Sequence, residues 1–131
     1  MPVIYRTSDR IEIKIDDFKI KIKPMSFEEK SQVIAEIQKA QQTKDMASLQ
    51  KASLMPIRLA LKSIEGVEDI NGEPYSLQFD ENNHLTDECL NEVLSLSEKL
   101  TQVCMATLNG LPNEWEIEGV SFSSKKKPRK S

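Results

Sequence analysis

The sharpest pattern in the chain is an alternation. Ile11, Ile13 and Ile15 alternate with Glu12 and Lys14, and Phe18, Ile20 and Ile22 alternate with Lys19, Lys21 and Lys23. A period of two is the signature of strands with one buried face. Asp16-Asp17 lies between the runs. Pairing Ile15 with Phe18, Ile13 with Ile20 and Ile11 with Ile22 puts all six apolar side chains on one face. The other face is then charged, mainly by lysine. A lone hairpin is marginal in water, so this apolar face needs cover.

The period then lengthens. Pro24 ends the second strand, and Ser26-Phe27-Glu28-Glu29 reads as a capping box opening a helix through Val33, Ile34 and Ile37 to about Gln42. A second helix is expected from Asp45, carrying Leu49, Ala52 and Met55. Pro56 either kinks it or opens a new helix at its first turn. Ile57, Leu59, Ala60, Leu61 and Ile64 read as its helical continuation, with Gly66 as the residue that ends it. Val67 to His84 is irregular, with a strong turn signal at Asn71-Gly72, and reads as a short exposed hairpin or an ordered loop. Pro74 argues against a regular central strand there. Thr86 caps the next helix, whose stripe is Leu90, Val93 and Leu94 with Leu96 beside it. Ser95 and Glu98 make a possible second capping box. The following stripe is Leu100, Val103, Cys104 and Leu108, stopped by Asn109-Gly110 and Pro112. Trp115 to Phe122 alternates weakly, as a final strand or an anchored tail. Whether it pairs with the hairpin is open.

The fold class expected from this order is α+β: an N-terminal β-hairpin or small antiparallel sheet packed against four to five α-helices. The expected organisation is one domain over residues 1–122, with a hairpin lobe at 1–24 and a mainly helical part at 26–110. Residues 123–131 read as a disordered basic tail. The chain has 131 residues, enough to bury a core without staples. Aromatics are few, with one Trp, two Tyr and four Phe, so the core must be mainly aliphatic. Cys89 and Cys104 fall on apolar helical positions and read as two reduced core thiols, although spacing alone leaves a disulfide open. No apolar run approaches the length of a membrane span.

Charge changes the picture more than composition does. Residues 1–62 carry 12 basic and 8 acidic groups, residues 63–122 carry 1 and 13, and residues 123–131 carry 5 basic groups. Segregation of this kind concerns association rather than fold. Catalytic chemistry finds no footing. The single histidine, His84, sits in a polar loop with no nucleophile in sight. Two Cys and one His make no zinc spacing. Residues 80–91 fail as a calcium loop, because Leu85 and Asn91 stand where Gly and Glu are needed. None of the four glycines builds a phosphate cradle. The expectation is a non-enzyme with no cofactor and no metal. The tail Lys125-Lys126-Lys127-Pro128-Arg129-Lys130 lacks interleaved aromatics, and the acidic body disfavours nucleic acid.

Three segments together resemble one family. They are the opening IEIKIDDFKIKIKPMSFEEKSQVI, the middle SIEGVEDINGEPYSLQFD and the helical LTDECLNEVLSLSEKLTQVCMATLNGLP, covering about two thirds of the chain. In order, size and texture they resemble the tail assembly chaperones of long-tailed bacteriophages of the siphophage type. The resemblance implies a late, non-catalytic phage or prophage protein of the infected host's cytoplasm, absent from the mature virion. It implies binding to the tape measure protein, which is kept soluble, and recruitment of tail tube protein during viral tail assembly. Many members occur in a second, frameshifted form, and Lys125-Lys126-Lys127 would suit such a site, since lysine codons can supply an adenine run. The stripes Leu90, Val93, Leu94 and Leu100, Val103, Leu108 then become a candidate client groove, although the same spacings also serve as plain core. Lys19, Lys21 and Lys23 become candidates for self-association with the acidic half of a neighbouring copy, as an oligomer. Two alternatives stand beside this reading. One is a tail-completion or head–tail joining structural protein of a phage, and the other is an acidic protein-binding regulator.

Overall fold

The computed structural model of the protein describes residues 4–6, 8–112 and 114–122. The basic tail at 123–131 lies outside them. The hairpin forms in the expected register. Strand β1 (Ile11–Ile15) pairs antiparallel with β2 (Phe18–Ile22), with Ile11 opposite Ile22, Ile13 opposite Ile20 and Ile15 opposite Phe18. Ile13, Ile15, Phe18, Ile20 and Ile22 are all buried. Asp16, the first loop residue, has a φ of 53°. Asp tolerates this left-handed conformation better than most residues, and two contacts brace it. Its N–H donates to the Gly119 carbonyl at 2.8 Å, and its carboxylate accepts from Lys99 Nζ at 2.9 and 3.1 Å.

Helix α1 (Phe27–Thr43) starts at the Ser26 capping box, with both reciprocal hydrogen bonds made. Only Val33 and Ala40 are buried along it, while Ile34, expected in the inward stripe, is 47% exposed. Helix α2 (Met46–Ser53) is capped by Asp45. Helix α3 (Met55–Ala60) opens with Pro56 in its first turn, as a new helix rather than a kink.

The apolar run after Pro56 is not helical throughout. Helix α3 stops at Ala60, and Leu61–Glu65 forms strand β3 against β2. Leu61 and Ile64, three residues apart, suit a helix stripe. In a regular strand they would face opposite ways. Here Ile22 pairs with Leu61 and Lys21 with Ser63, so Lys62 is an extra residue. This bulge turns both apolar side chains inward. Gly66 accordingly ends a strand, not a helix. Its φ is +86°, and a Cβ there would come within 3.2 Å of the Asp17 carbonyl oxygen.

Residues 66–84 make two tight turns, tied by bridges between Glu68 and Pro74 and between Phe79 and Leu85. Helix α4 (Asp87–Leu94) is capped by Thr86, and α5 (Glu98–Asn109) by Ser97. The expected second capping box at Ser95 does not form. Ser95 ends α4, and its hydroxyl donates to the Glu92 carbonyl. Leu96, in the short link, is 39% exposed rather than inward. Strand β4 (Val120–Phe122) pairs antiparallel with β1, which answers the open question about the C-terminal segment.

The sheet order is β3-β2-β1-β4, all antiparallel, so the architecture is α+β. Its inner face, with Ile57, Leu85, α4 and α5, makes the main core. A smaller cluster of Met25, Val33 and Leu59, with Ile37, Met55 and Leu108 against it, ties α1 to the body. Register puts Glu12, Lys14, Lys19, Lys21, Ser63, Glu65 and Ser121 on the opposite, polar face. Antiparallel sheets tolerate one wet face of this kind.

Candidate interaction surfaces

The two leucine–valine stripes do not form an open groove. Leu90, Val93, Leu100 and Val103 are between 0% and 5% exposed and belong to the main core. Leu94 and Leu108 are half-buried against the two clusters. The reason is the size of the sheet. β3 and β4 double the hairpin's width, and α4 and α5 supply the apolar cover that the wider face needs. The client-groove expectation is corrected on this point.

The three hairpin lysines differ in what they hold. Lys19 lies 3.5 Å from the Glu12 carboxylate. Lys23 turns to the start of α1, where its Nζ bonds Glu29 Oε1 and the Pro24 carbonyl. Lys21 makes no ion pair among the described residues. A lysine face exists, but two of its three candidates already have carboxylate partners. At Glu29, burial raises the carboxyl's pKa, while the Lys23 ammonium and the Ser26 N–H lower it and prevail. A carboxylate whose pKa is depressed in the folded state stabilises above its unfolded pKa. That stability is lost as pH falls through the folded value. The melting temperature should therefore drop as pH is lowered below the ordinary glutamate range, about 4.3. Glu29→Gln should remove part of that slope and cost under about 1 kcal/mol at neutral pH. Thermal melts of both proteins across pH 3–7, roughly the carboxylate window, check it.

The accessible features lie elsewhere. Helices α1, α2 and α3 enclose an open cleft of about 560 Å³. Ala40, Ala52 and Met55 supply its apolar lining, and Glu36, Lys39, Lys51 and Arg58 its charge. Lys39 and Lys51 make no ion pair among the described residues, whereas Arg58 bonds Asp87 and the Leu85 carbonyl. Arg58 holds the Asp87 carboxyl below its usual range. Away from the cleft, α1 presents Phe27 at 86% exposure and Ile34 seven residues on. That spacing places both on one helix face. Met46, at the start of α2, is also exposed.

The acidic half is organised by two copies of one turn. In Asp69-Ile70-Asn71-Gly72-Glu73, Asp69 Oδ1 accepts from the N–H groups of Asn71 and Glu73. In Asp80-Glu81-Asn82-Asn83-His84, Asp80 Oδ1 accepts from those of Asn82 and His84. The fourth residue is left-handed in each, with φ of 80° at Gly72 and 65° at Asn83. The two backbone N–H bonds, from His84 and Asn82, lower the Asp80 pKa. The recurrence of Asp, then Asn two residues later, then a residue tolerant of positive φ, is the signal for this pair in the sequence. Lys62 pins the second turn, donating to the Asn83 carbonyl at 2.7 Å with its ammonium 5.6 Å from the Phe79 ring centre. His84 is thus a structural part of a turn.

Cys89 and Cys104 are buried and unbonded to each other. Burial pushes the Cys104 thiol up to about 12. Burial, then hydrogen bonds to Cys89 and Glu92, hold the Tyr75 hydroxyl well above its usual range. Among the described residues no group of three or more His, Cys, Asp or Glu side chains is placed to hold a metal ion. No helix among them is long and apolar enough to cross a membrane. Compared with protein-family models, with curated proteins and with solved structures, the chain matches none of them.

Proposed function

We propose that the protein is a non-catalytic tail assembly chaperone of a long-tailed phage, binding the tape measure protein in the host cytoplasm and helping to recruit tail tube protein. The observation that carries this reading is α1. A helix draws most of its stability from packing an apolar face. This 17-residue helix buries Val33 and Ala40 alone and leaves Phe27 and Ile34 facing outward. An outward stripe at helical spacing, on a highly charged chain, suits pairing with the apolar stripe of a long helical client. The resemblance in element order supports the same assignment. The client face therefore moves from α4 and α5 to α1.

Co-expression with the long helical protein encoded downstream tests it. The partner should remain soluble and co-purify, and should precipitate without this chain. Phe27→Ser with Ile34→Ser should lower the soluble partner several-fold while leaving the chaperone's own stability within about 0.5 kcal/mol, because both side chains are exposed. A partner indifferent to the chain, together with the chain's presence in purified particles, would make it a tail-completion or joining protein instead.

A further inference from the structure

We propose that the α1–α2–α3 cleft binds a short acidic segment of a partner protein, one that carries an aliphatic side chain between its carboxylates. The inference does not rest on the chaperone reading, because the cleft lies on another side of α1. At about 100° per residue, Gln32, Glu36, Lys39 and Thr43 form one stripe, turned well away from Phe27 and Ile34.

The cleft has a physical cause. Helices α1 and α2 are joined by the short Lys44-Asp45 link, and Ala40 and Ala52 lie between them. Both alanines are buried, but neither side chain is long enough to fill the space beside two helices. Met55 adds an unbranched side chain that can shift to fit a guest. From Gln32 to Thr43, α1 rises about 16 Å, which matches about five residues of extended chain. The volume of about 560 Å³ lies within the ordinary range of ligand sites. Gln32, Thr43 and Ser48 put hydrogen-bond donors and acceptors on the walls. A peptide backbone can use them, whereas a purely aliphatic ligand cannot.

Charge selects among peptides. Lys39 and Lys51 reach the cleft from two different helices, both exposed and both without an ion pair among the described residues. Glu36, three residues before Lys39, lies within reach on the helix surface, yet the two do not pair. Arg58 is already occupied by Asp87 and adds little. The open positive charge therefore sits toward the link between α1 and α2, and Glu36 disfavours carboxylates toward the Gln32 end. A guest with carboxylates on Lys39 and Lys51 and one aliphatic side chain on Ala40, Ala52 and Met55 satisfies both the rim and the floor.

Fluorescence anisotropy of a fluorescein-labelled peptide of alternating glutamate and leucine, titrated with the full chain at low salt, tests this. Binding should saturate at one peptide per chain and weaken several-fold at about 1 M salt. Replacing the leucines of the peptide by serine should weaken it about tenfold or more. Lys39→Glu combined with Lys51→Glu should weaken it about ten- to a hundredfold. Both lysines are exposed, so circular dichroism should be unchanged. Lys14→Glu combined with Lys19→Glu, the same charge change on the sheet's polar face, should leave the affinity as it is. Absence of binding would overturn the proposal, as would equal loss from the two charge reversals. Equal binding of the serine peptide, or equally good displacement by oligothymidine, would reduce the cleft to a general attraction for polyanions. Self-association of the chain that the Lys39 and Lys51 reversal abolishes would make a second copy the occupant, and would equally overturn it.

Discussion

Leu100→Ala should lower the unfolding free energy by about 2–5 kcal/mol, a large fraction of what a small domain has to lose. Leu100 is fully buried in α5 and lies in the cluster that covers the sheet. Its truncation removes apolar burial and leaves a void that close-packed neighbours fill only in part. Urea unfolding followed by Trp115 fluorescence measures the change, with the slope against denaturant expected to hold. Leu96→Ala is the paired control. At 39% exposure, Leu96 should cost no more than about 0.5 kcal/mol. The two substitutions together separate core from surface within one helical pair. A Leu100→Ala protein of wild-type stability that loses client binding would return the α4–α5 stripe to the role of docking groove.

That pair also marks how far the sequence could be read. The hairpin was legible to the level of individual pairs because its alternation has a single consistent register. The Ser26 and Thr86 caps, and a helix start at Asp45, were legible because a short polar side chain before an apolar run has few other uses. Leu61 to Glu65 was not. A three-residue spacing belongs to a helix unless a bulge intervenes, and the Lys62 bulge depends on pairing with β2, which is remote in sequence. The same non-local effect misled the site. Leu90, Val93, Leu100 and Val103 suit core first at these spacings, but a groove stays open until the width of the sheet is known. Ser95 lost the cap to Ser97 by two residues, a difference that local pattern does not resolve. The α1–α2–α3 cleft went unread for a different cause. A cleft depends on how three helices meet.

Leu85→Ala should produce the second large effect, and a different kind of failure. Between Ile64 and Cys89 it is the one buried residue, at 0% exposure. It is the connection's deepest anchor, beside Val67, Tyr75 and Leu77, which are half-buried against the same core. Its backbone is held as well, with the N–H donating to the Arg58 carbonyl and the carbonyl accepting from the Arg58 guanidinium, both at 3.3 Å. Truncation should cost about 2–5 kcal/mol in urea and loosen both Asp-centred turns. Proteolysis can resolve the two effects. From Ser63 to Glu98 the chain has no Lys or Arg, so trypsin has no site there, whereas Glu65, Glu68 and Glu81 offer several to a glutamate-specific protease. If Leu85 acts as the anchor, glutamate-specific cleavage should accelerate well beyond tryptic cleavage of the body, because the connection opens locally at a lower free energy than the domain unfolds. Equal acceleration by both proteases would mean that the connection and the core open as one unit. A change of less than about 0.5 kcal/mol would show that Arg58 and the turns hold the connection without Leu85.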